Sequence, residues 1–154
     1  MILCPNSREY KLADLRREIE TEGARPAVID TAVSEMLADV DGRLAHDLLS
    51  LLSDGVEHDE GMFSLIHAAE SIDDSAYVRA LLSAFPQIMS SAPRWASIVL
   101  MRVLNSGSAQ AELVRQLRHA PASTKEAVRE MCGRINEVSP QFLSKTAPAT
   151  LAAS

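Results

Sequence analysis

Apolar residues return at steps of three and four in one segment after another, and the strict alternation of a half-buried strand never persists. A chain patterned this way buries its apolar stripes only by packing helix against helix. The expectation is therefore an all-α fold of about eight helices. The 6 Gly, 7 Pro and 4% aromatic residues are too few for a turn-dense β protein or a disordered chain. At 154 residues and 47% apolar content, the length suffices for one proper core.

Residues 7–22 place Leu12, Leu15 and Ile19 on one face, and Gly23 stops that helix. Pro26 opens a second with Ile29, Val33 and Met36 at core spacing, and a leucine-rich third spans 44–52. Residues 60–72 form a short, mostly buried helix, and 73–75 break it and cap its successor. The next stripe, from Tyr77 to Met89, continues past Pro86, where a kink or a helix end is expected. Pro93 starts the helix that carries Trp95, and residues 105–108 end it. Two more helices cover 109–118 and 123–138, the latter capped by Ser123 or Thr124, before a last turn through Phe142. Residues 1–145 read as a single helical domain and 146–154 as a flexible tail. Antiparallel hairpins with short loops point to a HEAT-like or irregular α-solenoid, with a compact orthogonal bundle as the alternative.

Formal net charge is −6 and uneven: residues 41–75 hold nine acids against one base, whereas 76–154 hold nine bases against four acids. An acidic chain suits a basic partner and disfavours nucleic acid or an anionic membrane. If the loops at 54–60 and 73–74 share one edge of the stack, Asp54, Glu57, Asp59, Glu60, Asp73 and Asp74 form a negative patch on it. Acids at loops and first helical turns also simply offset the helix dipole. Cys4 and Cys132 are too few for a disulfide framework and read as free thiols in a reducing compartment. No apolar run is long enough to span a bilayer, and the apolar residues at 1–5 are too short for a signal-peptide core, so a cytoplasmic location is expected.

Catalytic signatures are wanting. His58, Asp59, Glu60, His67 and Glu70 have metal-ligand side chains but fit no established spacing, and no metal or other cofactor is expected. His67, on an apolar helix, reads as a partly buried, hydrogen-bonded histidine. Glycines stand singly rather than in a phosphate loop, and no nucleophile elbow occurs. The C-terminal bases alternate with Glu126, Glu130 and Glu137, a pattern suited to surface ion pairs. Trp95, beside Arg94, reads as a core anchor or as an exposed contact for a partner.

The stretch from Asp54 through Met62-Phe63-Ser64-Leu65-Ile66-His67 to Glu70, followed by Tyr77-Val78, Pro93-Arg94-Trp95 and Arg102-Val103-Leu104-Asn105-Ser106, resembles the immunity protein 30 family. These are antidotes of bacterial polymorphic-toxin and contact-dependent growth inhibition systems. The resemblance covers about residues 44–135 and is strongest at 62–70 and 92–106. It implies a non-enzymatic cytoplasmic protein that neutralises the C-terminal domain of a cognate toxin. Asp54, Glu57, Asp59, Glu60, Asp73 and Asp74, with Arg94 and Trp95, are then the expected contacts, and against a nuclease the acids would mimic phosphate. A helical adaptor for a cellular protein or peptide is the alternative, and a metal-dependent enzyme using His58, His67 and Glu70 a distant third.

Overall fold

The computed structural model describes residues 7–154; Cys4, expected as a free thiol, lies outside the described residues. Among these are nine α-helices and one short 3-10 helix: α1 (Ser7–Glu22), α2 (Pro26–Leu37), α3 (Leu44–Leu49), α4 (Asp59–Glu70), α5 (Asp74–Ser91), α6 (Pro93–Leu104), α7 (Gly107–Leu117), α8 (Ala122–Val138), a 3-10 turn (Pro140–Phe142) and α9 (Leu143–Ala152). No described residue lies in a strand. The fold is all-helical, as the periodicity requires.

Helices alternate between two layers. Next-but-one helices pack side by side, α2 on α4 and α6 on α8 in one layer, and α3 on α5, α5 on α7 and α7 on α9 in the other. This is solenoid-like stacking. It departs from a regular solenoid where α5, the longest helix, also packs on α8. The core between the layers is one continuous cluster that includes Leu48, Leu65, Val78, Phe85, Trp95, Leu100, Leu113 and Val128.

The turn between α1 and α2 seats α4. Gly23 and Ala24 both adopt left-handed backbone, and the Gly23 carbonyl accepts from the His58 amide at 2.9 Å. Gly61, in the first turn of α4, meets the Ala24 backbone so closely that an added Cβ would stand 2.3 Å from its carbonyl oxygen. Glu18, almost fully buried, accepts from the Arg25 amide at 3.0 Å and from its guanidinium at 3.0 and 2.7 Å. The Arg25 guanidinium holds the Glu18 carboxyl below its ordinary range.

Three boundaries differ from the sequence reading, each for a physical reason. Helix α5 runs unbroken through Pro86. Proline has no N–H for the carbonyl four residues earlier, that of Leu82, and the buried Thr124 hydroxyl donates to this oxygen at 3.3 Å. Thr124 is thus committed to α5 and does not cap α8, whose N-terminus is set by Pro121 without a side-chain cap. Residues 146–154, expected as a flexible tail, belong mostly to α9. Thr146, Ala149, Ala152 and Ala153 are buried there, and Arg129 donates to the Ala153 carbonyl at 3.0 Å. Small side chains let α9 lie close to α7 and α8.

Replacing Thr124 by Val should cost about 1 kcal/mol of unfolding free energy, the usual worth of such a hydrogen bond. In a Pro86→Ala background the restored amide serves Leu82, so the same Thr124→Val change should cost clearly less. Urea denaturation of the four proteins of this double-mutant cycle measures both values.

Candidate functional site

The acids singled out by sequence do not lie on one edge. Their two loops flank α4, so its 12 residues put them at opposite ends, roughly 18 Å apart along the helix axis. Each end meets the matching end of α6, which runs parallel to α4. At the first end, Asp59 takes the Arg94 guanidinium at 2.6 and 3.2 Å. At the second, Glu70 takes the Arg102 guanidinium at 2.7 and 2.8 Å. Between them, the Phe63 ring on α4 meets the Trp95 ring on α6 edge to face, with centroids 5.1 Å apart.

Asp54 has a structural task. Helix α6 begins at Pro93, and its own N-cap residue, Ala92, has no side chain that could accept. Asp54 reaches across from the loop before α4, and its carboxylate accepts from the amides of Arg94 at 3.0 Å and Trp95 at 3.3 Å. It serves as an N-cap supplied from 40 residues away, placing a negative charge at the positive end of the α6 dipole. Asp73 plays the ordinary local version of this role, accepting from the Ala76 amide at 3.0 Å to start α5.

At the first end, then, Asp54 and Asp59 are occupied from within the chain. Arg94 is half exposed, its guanidinium shared between Asp59 and the Trp95 ring, whose centroid lies 5.0 Å from Cζ. Hydrogen bonding to Arg94 holds the Asp59 carboxyl below its ordinary range. Glu57 and Glu60 are exposed and form no ion pair among the described residues. Trp95 is completely buried, which settles its two readings in favour of the core; it offers no surface to a partner.

At the second end, Glu70, Asp74, Tyr77, Arg102, Asn105 and Ser106 surround a cleft of about 420 Å³. Tyr77, Arg102 and Asn105 were not singled out as site residues. One signal was present: a tyrosine on an otherwise aliphatic core stripe brings a hydroxyl that needs a partner. His67 is exposed rather than partly buried, with its ring centroid 6.2 Å from that of Phe63. His58 stands at the start of α4, and among the described residues no three His, Cys, Asp or Glu side chains are grouped to hold a metal. Cys132 is a free, buried thiol whose pKa burial pushes up. No helix among the described residues is long and apolar enough to cross a membrane.

Two helical layers, with their parallel helices clamped by arginine–carboxylate pairs and a polar cleft at one edge, define a small solenoid-like helical protein. The model of the immunity protein 30 family matches residues 16–113, and the chain belongs to that family. The match runs from within α1 to within α7, so it starts earlier and ends earlier than the resemblance read from the motifs. Both α4–α6 clamps, Asp54 and the cleft fall inside it; α8 and α9 fall outside. No curated protein and no solved structure matches the chain.

Replacing Asp54 by Ala should lower the unfolding free energy by about 1 kcal/mol, the usual cost of a lost N-cap. Asn, which keeps the acceptor and drops the charge, should recover most of it. Equal losses for Ala and Asn in chemical denaturation would mean that the carboxylate acts through charge alone.

Proposed function

We propose that the protein is a non-enzymatic immunity protein that binds a cognate bacterial toxin domain in the cytoplasm and neutralises it. Membership of the immunity protein 30 family carries this reading. The charge pattern supports it, since nine of the 21 acids fall in residues 41–75 beside a single base. An excess of carboxylates accelerates encounter with a basic surface and selects against acidic competitors. The contact residues proposed are the acids left unpaired, the exposed Glu57 and Glu60 at one end of α4 and the half-buried Asp74 at the other, with Arg94 at the rim. Asp54 and Asp73 contribute indirectly by fixing the helices that present them. Against a nuclease toxin, these carboxylates would stand where substrate phosphates bind.

The test is co-expression with the toxin C-terminal domain encoded immediately upstream, scored by cell survival and co-purification. Survival with a 1:1 complex is the expected result. A toxin that is active alone, still kills in the presence of this chain and does not co-purify would transfer the argument to a helical adaptor. The Glu57→Lys/Glu60→Lys variant should fold normally, associate about tenfold more slowly and lose part of its salt dependence. Stopped-flow or biosensor kinetics at two ionic strengths measure this.

A further inference from the structure

The cleft at the second end of α4 contains a buried polar group without a partner. Tyr77 is 3% exposed, and its hydroxyl oxygen makes no hydrogen bond among the described residues. Such a group is costly to leave unpaired. Around it the helix ends balance, α4 and α6 bringing C-termini and α5 and α7 N-termini, so the side chains set the sign of the field.

Those side chains leave one lining carboxylate, that of Asp74, without a cation. Among the described residues Arg102 is the one cation lining the cleft, and Glu70 already holds it through two hydrogen bonds. Lys145 reaches in from α9 to the Asn105 side-chain oxygen at the rim. Asp74 forms no ion pair among the described residues, so its carboxylate is left open, and the Tyr77 hydroxyl lining the same cleft is buried and unpartnered. Burial raises the Tyr77 pKa, Glu70 raises it further, and Arg102 opposes them more weakly.

We infer that this cleft receives a cationic side chain, an arginine or a lysine, whose N–H groups donate to the Asp74 carboxylate and the Tyr77 hydroxyl oxygen. This rests on the reading that the partner is a basic protein, and it names where one of that partner's cations docks. The cleft volume, about 420 Å³, falls within the roughly 300–1,000 Å³ typical of ligand sites.

The pocket can be tested without the toxin by titrating the isotope-labelled protein with N-acetyl-arginine amide, N-acetyl-lysine amide and N-acetyl-aspartate amide, following backbone amide shifts by NMR. The two cationic probes should give saturable shifts confined to residues 70–77 and 102–106. Tyr77→Phe and Asp74→Asn should each weaken them about tenfold, the worth of one hydrogen bond to a charged group. Tyr77→Phe keeps the buried ring and removes only the unpaired hydroxyl, so its melting temperature should stay level or rise while its probe affinity falls. No saturable shift, or the same shift from the aspartate probe, overturns the inference. Probe binding without rescue by co-expression strikes the partner reading alone, and rescue without probe binding strikes the cleft alone.

Discussion

A helix that begins with proline after alanine has no local acceptor for its free amides, and the solution adopted here links distant parts of the chain. The Asp54 carboxylate meets the amides of Arg94 and Trp95, fixing where α6 starts and how it lies beside α4. With that end fixed, Trp95 is driven into the core against Phe63, and Arg102, two turns further on, arrives opposite Glu70. The cleft exists because these two helices finish side by side.

The same arrangement sorts the acids into two kinds. Asp54, Asp59, Glu70 and Asp73 are occupied by amides or guanidinium groups of the chain itself. Glu57 and Glu60, both exposed, and Asp74, half-buried at the cleft, have no paired cation among the described residues. A formal charge count treats the two kinds alike. For a partner they differ: the first kind is already satisfied by groups of the chain itself, and the second still has its interaction to make.

Helices were legible wherever apolar residues of full size repeat at helical spacing, as in α2, α5, α6 and α8. Helix α9 was not, because its buried stripe is Thr146, Ala149 and Ala152, too small to stand out from the neighbouring small residues. The unbroken passage through Pro86 was hidden for another reason: the group that compensates for the proline, Thr124, is distant in sequence. Site chemistry divides in the same way. Residue types near α4 could be read as acidic and interactive, but whether a given carboxylate is free depends on α6, whose position beside α4 no local pattern records. Trp95 shows the limit most plainly, since its place in a first turn beside Arg94 suits either surface or core, and only the contact with Phe63 decides.

The meeting of Gly61 with the Ala24 carbonyl is a contact between two backbones with no side chain between them. It cannot be adjusted by rotamer changes or by exchanging one aliphatic residue for another, the means by which most helix interfaces absorb mutation. Adding a single carbon at position 61 would force the α1–α2 hairpin to lift as a unit, taking Glu18 and Arg25 with it. Divergence in this stack is therefore constrained unequally: its outer helices can exchange side chains freely, whereas the spacing of its first three long helices is carried by an atom that must stay absent.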